Sequence, residues 1–213
     1  MVNHLLDIGA GTGNNIKAFK KLHPSTITAA ITCSEKEAKE LEIITNQTFI
    51  FDLNNINNAK EREKVGLKML NYDLIVLSHV LEHTQNPLSV INGICDLLTI
   101  DGQMLIALPN ICHWRTRLQI TRGKFDYQDD GVLDRTHLRF FTYWSAIELI
   151  DECPELVLLN NWAVGGSILG PLRKILPAKI CKWLDHIATK VWPNLFGYEI
   201  HLLVRKRSKS RNY

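Results

Sequence analysis

Residues 1–15 read M-V-N-H-L-L-D-I-G-A-G-T-G-N-N, and the prediction of the fold rests on them. A short apolar run leads into Asp7, after which Gly9, Gly11 and Gly13 alternate with small residues and a helical pattern begins. Glycine permits positive φ and lets a ligand approach the backbone closely. A helix that begins after such a turn points unpaired N–H groups into it. The pattern predicts a strand, a ligand-binding turn and a helix.

The spacing of the glycines separates two classes of nucleotide-binding protein. Dinucleotide enzymes typically carry G-x-G-x-x-G, whereas this loop reads G-x-G-x-G and follows Asp7 closely. That arrangement resembles motif I of the class I methyltransferases, which use S-adenosylmethionine. The resemblance implies that Asp7, Gly9, Ala10, Gly11 and Gly13 hold the methionine end of the cofactor. The alternative is an ordinary glycine-rich turn that binds nothing.

The composition is that of a soluble globular protein, with 213 residues, 46% hydrophobic and 22% charged. Its five cysteines form no C-x-x-C pair, so we expect reduced thiols in a cytoplasmic protein. We expect neither a signal peptide nor a membrane span. Residues 169–213 are strongly basic, and such segments often contact anionic surfaces. No nucleic-acid partner is expected.

Apolar runs alternate with helical patterns along the chain, which is typical of β–α–β units. We predict an α/β fold with a doubly wound, mostly parallel sheet of seven strands, the last one antiparallel. A single domain would cover 1–205, with an insertion after strand five and an amphipathic helical insertion before the last strand. A disordered basic tail would follow at 206–213. The predicted strands are His4–Ile8, Ile27–Thr32, Thr48–Phe51, Leu74–Ser78, Gln103–Leu108, Leu156–Trp162 and Gly197–Arg205, with helices at Ser34–Ile44 and Asn58–Leu70 and a turn at Asp101–Gly102.

Ligands of doubly wound sheets bind at the carboxyl ends of the strands. The string Y-D-L-I-V-L-S-H-V-L-E-H at Tyr72–His83 resembles motif IV of the same methyltransferases, so Ser78 and His79 would line the site. Asp52 and Leu53 follow strand three, where the family places an acidic residue near the adenine amine. A carboxylate can accept a hydrogen bond from that amine. A turn-forming Asp52 is the alternative.

The end of strand two departs from the family pattern. Thr32 stands where an acidic residue usually binds the ribose hydroxyls. Members of the cyclopropane-synthase type also have threonine there and use a side chain a few residues later, a role that Glu37 could fill. Alternatively, Glu37 only closes a capping box with Ser34.

The segment L-D-R-T-H-L-R-F-F-T at residues 133–142 resembles a subgroup often found with glycosyltransferases of cell-surface polysaccharide synthesis. The family often builds its acceptor pocket in this region. We predict that His137 acts as a general base, since a histidine near neutrality can remove a hydroxyl proton. Arg135 and Arg139 could bind an anionic acceptor. An internal salt bridge from Asp134 to an arginine, with His137 in a structural hydrogen bond, fits the pattern equally well.

Residues 79–83 also read H-x-x-E-H, the inverted signature of zinc proteases. On a helix, His79 and His83 could bind zinc with Glu82 as the base. A buried strand directly precedes the string, however, and Asn86-Pro87 interrupts any helix soon afterwards. We therefore expect no metal and assign His79 a catalytic place at the end of strand four.

The amphipathic segment 169–195 mixes apolar residues such as Trp183 with lysines and arginines. It could lie on an anionic membrane surface as a peripheral contact. It could also pack onto the sheet or form a homodimer contact.

Together these patterns predict methyl transfer from S-adenosylmethionine to a small-molecule or glycan-linked acceptor, with O-methylation favoured. The sulfonium would supply the reactive methyl group, and the protein would align it with the nucleophile. A non-catalytic cofactor-binding or interaction domain of the same fold is the rival function. It is suggested by Thr32 and by the short segment before strand one.

Overall fold

The computed structural model describes residues 2–67, 72–167 and 169–207. Seven strands form one sheet in the order β3-β2-β1-β4-β5-β7-β6. All neighbouring pairs are parallel except those that involve β7, which runs antiparallel to β5 and β6. The strands are β1 His4–Ile8, β2 Ile27–Thr32, β3 Gln47–Ile50, β4 Tyr72–Ser78, β5 Leu98–Pro109, β6 Leu156–Gly165 and β7 Gly197–Lys206. This is the predicted doubly wound α/β sheet.

Helices cover both faces of the sheet, as parallel strands buried on both sides require. They are α1 Asn14–Leu22, α2 Glu35–Leu41, α3 Ala59–Lys64, α4 Pro87–Cys95, α5 Trp114–Thr121, α6 Tyr143–Asp151, α7 Ala178–Val191 and α8 Pro193–Phe196. The predicted insertions hold α5 after β5 and α7 and α8 before β7. In the described part of the chain, no helix has the length and apolar character needed to cross a membrane.

Two apolar clusters form the core, because successive side chains of a strand point to opposite faces. On one face, Leu5 of β1 packs with Ile16 of α1 and Leu41 of α2. On the other face, Leu6 packs in the larger cluster, to which α4 and α6 contribute residues such as Ile91. The sheet order reverses between β1 and β4, so the carboxyl ends of these central strands open a crevice for a ligand.

Several predicted boundaries are wrong. Asp101–Gly102 does not form a turn before β5 but lies inside it, and the pairing with β4 jumps from Tyr72–Leu98 to Leu74–Gln103 across this irregularity. Lys206, assigned to the tail, ends β7 and donates a hydrogen bond to the carbonyl oxygen of Cys95. Arg207 of the predicted tail is also held, since its backbone N–H donates a hydrogen bond to the carbonyl oxygen of Glu155. Residues 208–213 of the tail lie outside the described residues, as do 68–70 of the predicted helix Asn58–Leu70.

Candidate functional site

The glycine loop follows β1 at its carboxyl end. Gly9, Gly11 and Gly13 all have positive φ, at 66°, 51° and 72°. A Cβ on Gly9 would lie 2.5 Å from Val80 Cγ2, whereas a Cβ on Gly11 would meet nothing within 4 Å. Glycine is thus required sterically at the start of the loop, while at Gly11 the backbone borders open space that a ligand can occupy.

A cavity of about 280 Å³ opens beside this loop, at the carboxyl ends of β1, β2 and β4. We call it the cofactor cleft. Apolar walls and a few polar groups are typical of sites for small molecules. The lining residues are Gly9, Ile31, Thr32, Cys33, Phe51, Asp52, Leu53, Asn54, His79, Val80, His83 and Thr84. Five of the predicted site residues thus line one cleft, namely Gly9, Thr32, Asp52, Leu53 and His79; the others lie outside its lining.

The end of β2 brings a carboxylate to the place where the sequence has Thr32. The buried Thr32 Oγ1 donates a hydrogen bond of 2.5 Å to Glu37 Oε2 and accepts one from the backbone N–H of Ser34. Ser34 caps α2, but Glu37 does not complete the capping box, because its side chain reaches Thr32 instead. The predicted helix end at Ile44 is also wrong, since α2 ends at Leu41.

Asp52 has the turn-forming role that the sequence left open as the alternative, and it also lies at the cleft. Its Oδ1 accepts hydrogen bonds from the backbone and the side chain of Asn54, at 2.9 and 3.0 Å, and so caps a 3-10 turn at Leu53–Asn55. The same residue also lines the cofactor cleft. The capping role therefore holds the carboxylate at the rim of the cleft.

Asp7 lies fully buried beneath the glycine loop. Asn15 Nδ2 donates a hydrogen bond of 3.4 Å to Oδ1, whereas Oδ2 has no hydrogen-bond partner among the described residues. Burial raises the pKa of Asp7 to about 7, against the smaller opposite effect of the Asn15 hydrogen bond. The carboxyl group is thus poised between its charged and neutral forms near neutral pH.

His79 ends the cleft in a strained backbone conformation, with a φ of 55°. Such strain in a non-glycine residue is concentrated at functional sites. Nε2 lies 3.4 Å from Glu199 Oε1 and Nδ1 lies 3.3 Å from Glu82 Oε1, while His201 Nε2 lies 3.1 Å from the same oxygen of Glu199. Interaction with Glu199, and then with Glu82, raises the pKa of His79 to about 10. The ring is therefore a cation at neutral pH, held between two carboxylates.

Glu199 and His201 were missed by the sequence analysis. They lie on β7, and only the insertion of β7 beside β5 brings them to the end of β4. His201 and His79 lower the pKa of Glu199 to about 2. A glutamate and a histidine two residues apart on a strand share a face, but nothing in their local pattern indicates a partner on β4.

Glu82, His83 and His137 form a second group, which we call the Glu82 cluster. One ligand atom from each lies within 4.8 Å of the others. The backbone oxygen of Glu82 accepts hydrogen bonds from the N–H groups of Leu138 and Arg139, so the segment after residue 133 is fastened to the end of β4. Residues 81–83 form a 3-10 turn and not an α-helix. The zinc-protease hypothesis requires a helix at this position, so the structure does not support it.

The two arginines predicted to bind the acceptor make contacts with other groups of the protein. Arg139 donates hydrogen bonds of 2.6 and 3.1 Å to the carbonyl oxygen of Gln85, and the exposed Arg135 pairs with Asp129 at 2.9 Å. The expected bridge from Asp134 to an arginine is absent from the described ion pairs. Asp134 Oδ1 instead accepts hydrogen bonds from the backbone and the hydroxyl of Thr136.

A larger cavity of about 580 Å³ lies between α5 and the ends of β6 and β7. His113, Trp114, Arg115 and Tyr198 line part of it. The Arg115 guanidinium lies 5.3 Å from the centre of the Trp114 ring. Burial, and then the charge of Arg115, lowers the pKa of His113 to about 4. From the sequence, this region was predicted only as an insertion after strand five, without a site.

Comparisons with known proteins agree with this geometry. A family model described as a methyltransferase domain matches residues 2–149. An S-adenosylmethionine-dependent methyltransferase from Archaeoglobus fulgidus has a similar structure, with a TM-score of 0.61 and 15% identity over 96% of this chain and 86% of that one. The plantazolicin methyltransferase BpumL, in complex with S-adenosylhomocysteine, gives 0.57 and 15% over 97% and 77%. No curated protein sequence matches.

A third structure, the O-methyltransferase of a trans-AT polyketide synthase multienzyme of Brevibacillus brevis, gives a TM-score of 0.53 and 17% identity over 97% of this chain and 67% of that one. At such identities the structural likeness establishes the fold, while the family follows from the sequence match over most of the chain. The predicted methyltransferase fold is confirmed. The chain therefore belongs to the methyltransferase-domain family and has the class I fold of the enzymes that use S-adenosylmethionine.

Proposed function

We propose that the protein transfers a methyl group from S-adenosylmethionine to a hydroxyl of a small-molecule or glycan-linked acceptor. The observation that carries this proposal is the cofactor cleft, in which the positive-φ glycine loop, the Thr32–Glu37 pair and Asp52 meet at the switch point of the sheet. The sulfonium of the cofactor supplies the activated methyl group. Family membership and the S-adenosylhomocysteine held by a protein of the same fold support this cofactor.

Each end of the cleft has a role in this proposal. Glu37, whose carboxylate is bonded to Thr32 of the cleft, would accept hydrogen bonds from the ribose hydroxyls, and Asp52 would accept one from the adenine amine. Asp7 and the backbone of the glycine loop hold the methionine end. His79 is our candidate for contact with the reacting groups, because its ring forms the end of the cleft and is fixed by Glu82 and Glu199.

The larger cavity beside α5 is our candidate for the acceptor site. Among the described residues, Arg115 has no carboxylate partner within 4 Å, and it stacks near Trp114, so the cavity offers a cation and an aromatic face. Anionic sugars bind such surfaces through charge-assisted hydrogen bonds and ring stacking. The resemblance of residues 133–142 to polysaccharide-associated enzymes also supports a glycan-linked acceptor. Arg135 remains a candidate acceptor ligand at the surface.

Calorimetry and turnover together test this function. We expect S-adenosylhomocysteine to bind and NAD not to bind. Released S-adenosylhomocysteine should then be detected on incubation with S-adenosylmethionine and an acceptor from a panel of uronic acids, sugar nucleotides and phenols. Binding of NAD alone would contradict the cofactor assignment. Binding of S-adenosylhomocysteine without turnover on the whole panel would favour the non-catalytic domain.

We further infer that α7 touches an anionic membrane surface from the cytoplasmic side. Its outer face carries exposed Ile180, Trp183, Ile187 and Val191 at helical spacing, while Cys181, Ala188 and Thr189 are buried against the protein. Basic residues line the edge of the exposed apolar face, at Lys179, Lys182 and Lys190. Apolar and basic faces side by side are typical of helices that lie in the interface of a bilayer. All five cysteines are free, which supports the cytoplasm.

Vesicle co-sedimentation tests this contact. We expect binding to vesicles that contain phosphatidylglycerol and little binding to pure phosphatidylcholine. Trp183→Ser and Lys182→Glu should each weaken it, whereas Leu22→Ser, an equally exposed apolar change on α1, should not. A stable dimer in light scattering that Trp183→Ser dissociates would assign the face to a second copy of the chain instead.

A further inference from the structure

The Glu82 cluster contains a buried carboxylate that is paired with His79 but accepts no hydrogen bond from a described residue. Glu82 is 0% exposed, and neither oxygen is in hydrogen-bonding geometry with a described residue. The nearest groups are the rings of His79, 3.3 Å from Oε1, and His137, 4.0 Å from Oε1. A buried carboxylate without hydrogen bonds is costly and is normally paired or bound to a metal. The His79 cation offsets part of this charge at Oε1, whereas Oε2 accepts no hydrogen bond from a described residue and is free to bind a further cation.

The two histidines of the cluster are each held at Nδ1, which leaves Nε2 as the ring atom that can bind a metal. His137 Nδ1 donates a hydrogen bond of 3.1 Å to the carbonyl oxygen of Val132, and His83 Nδ1 donates one of 3.3 Å to the carbonyl oxygen of Thr136. A carbonyl oxygen can only accept, so the proton of this bond is on Nδ1 in each ring. Metal-binding histidines are almost always fixed in this way by an acceptor behind the ring.

The geometry points to a binding site for a divalent transition-metal ion, held by Glu82, His83 and His137. Two imidazoles and one carboxylate form a ligand set that leaves coordination positions open, as in catalytic zinc and non-haem iron sites. The ligand atoms lie within 4.8 Å of one another, and bonds of about 2.1 Å would bring them to about 3.3 Å apart. Rotation of the exposed His83 ring and of the Glu82 carboxylate supplies that movement.

Nitrogen ligands also restrict the choice of ion. Magnesium and calcium prefer oxygen ligands throughout, whereas imidazole suits zinc, copper, iron and nickel, and the Glu82 carboxylate in the set also suits manganese. His79 lies on the other side of Glu82 and would remain paired with Glu199, so a bound ion would replace only one of its two carboxylate contacts. The sequence analysis expected no metal, because it could not show that His137 lies beside Glu82 and His83.

The site borders the cofactor cleft, since His83 belongs to both. If the proposed methyl transfer is correct, an ion held by His83 would lie beside the cleft that holds the methyl donor. An acceptor hydroxyl bound there would lose its proton to solvent more readily. Its oxygen would then form the new bond to the methyl carbon, and the sulfur would keep the electron pair of the broken bond. This last step rests on the proposed function, whereas metal binding does not.

Manganese is the best probe, because the five free cysteines could capture zinc elsewhere. Chelator-treated protein is titrated with MnCl₂ by calorimetry, and the wild-type complex is examined by pulsed electron paramagnetic resonance. We expect one Mn²⁺ per chain and a coupling to imidazole nitrogen. Absence of saturable binding, or binding without the nitrogen coupling, would overturn the site without recourse to any variant.

Two variants and one control sharpen this test. Glu82→Gln and His137→Gln should each weaken Mn²⁺ binding at least tenfold, because each removes one ligand. His186→Ala, an exposed histidine on α7, should leave it unchanged. Equal affinity in all four proteins would also overturn the site. S-adenosylhomocysteine binding is measured on the same samples, so a protein that binds the metal but not the cofactor would refute the proposed function alone.

Discussion

The cofactor cleft and the Glu82 cluster adjoin each other at the end of β4 but are built differently. The cleft is shaped by backbone: three glycines with positive φ, the ends of three parallel strands and two short-range caps, at Ser34 and Asp52. The cluster is shaped by side chains from segments more than fifty residues apart, and it buries Glu82 without a hydrogen bond. The cleft therefore follows from the backbone of the fold, whereas the cluster depends on long-range contacts between side chains.

This difference separates the two aspects of the proposed reaction. When backbone geometry shapes the cofactor loop, the same cofactor can be bound while the side chains around it differ. The chemistry, in contrast, depends on particular side chains. We therefore expect changes in the cleft to remove cofactor binding and changes in the cluster to remove turnover. Variants that fail to separate the two effects would show that the regions form one unit.

The largest effect should come from Gly11→Val. A β-branched residue is strained at a φ of 51°, and its side chain would fill the open space beside the loop. We expect no detectable S-adenosylhomocysteine binding by calorimetry. Gly66→Val is the matched control, since Gly66 also has positive φ and open surroundings but follows α3 and is not part of the glycine loop. Equal loss in both variants would attribute the effect to backbone strain and not to the loop.

In the Glu82 cluster, His137→Ala should lower turnover by roughly 10²–10⁴ if His137 is a general base. The loss should be about as large if His137 is a metal ligand. S-adenosylhomocysteine affinity should stay nearly unchanged, because the His137 side chain does not line the cofactor cleft. Single-turnover kinetics and calorimetry on one preparation measure the two quantities. A joint fall in melting temperature and cofactor affinity would make His137 a structural residue of both regions.

Stability against pH offers a third contrast, between Asp7 and Glu199. The pKa of Asp7 is raised from 3.8 to about 7 in the folded protein, so this residue lowers the free energy of unfolding as pH rises from about 4 to about 7. The full effect is of the order of 4 kcal/mol at most. Glu199 has the opposite sign, because its pKa is lowered to about 2 and its contribution is lost as pH falls from about 4.5 to about 2.

Denaturant titrations at several pH values measure these slopes. Asp7→Asn should flatten the curve between pH 4 and pH 7, and Glu199→Gln should flatten it below pH 4.5. The free energy of unfolding of the wild-type protein could instead rise between pH 4 and pH 7 and be unchanged in its pH dependence by Asp7→Asn. That result would refute the buried Asp7 carboxyl group as a cause of pH-dependent stability in this range.

The sequence predicted the cleft better than the cluster for a physical reason. The bounds of β1 and β2 were correct, because the glycine turn and the cap at Ser34 are local signals with one structural solution. Placing Asp52 at strand three needed only the rule that ligands bind at strand ends. The fold class likewise follows from the alternation of strands and helices.

The cluster could not be predicted because its contacts are long-range. Nothing local shows that the backbone oxygen of Glu82 receives the N–H groups of Leu138 and Arg139, or that β7 enters beside β5 and brings Glu199 to His79. The same reason explains Glu37, whose spacing from Ser34 fits a capping box but whose carboxylate finds Thr32. Local patterns specify candidates, and tertiary contacts select among them.

The smallest expected effects concern Arg135 and Arg139, and they test whether the cluster extends to the acceptor. Arg139 makes two hydrogen bonds to the carbonyl oxygen of Gln85, so Arg139→Ala should lower the free energy of unfolding by about 1 kcal/mol. Among the described residues, Arg135 pairs only with the exposed Asp129, and such pairs contribute at most about 1 kcal/mol. Arg135→Ala should therefore leave stability nearly unchanged and, if the residue binds an anionic acceptor, raise the KM for that acceptor more than it lowers kcat.

Asp129→Ala supplies the control, because it breaks the same pair but leaves the arginine in place. An unchanged KM in both variants would place the acceptor entirely in the cavity beside Arg115, where Arg115→Ala should then raise the KM instead.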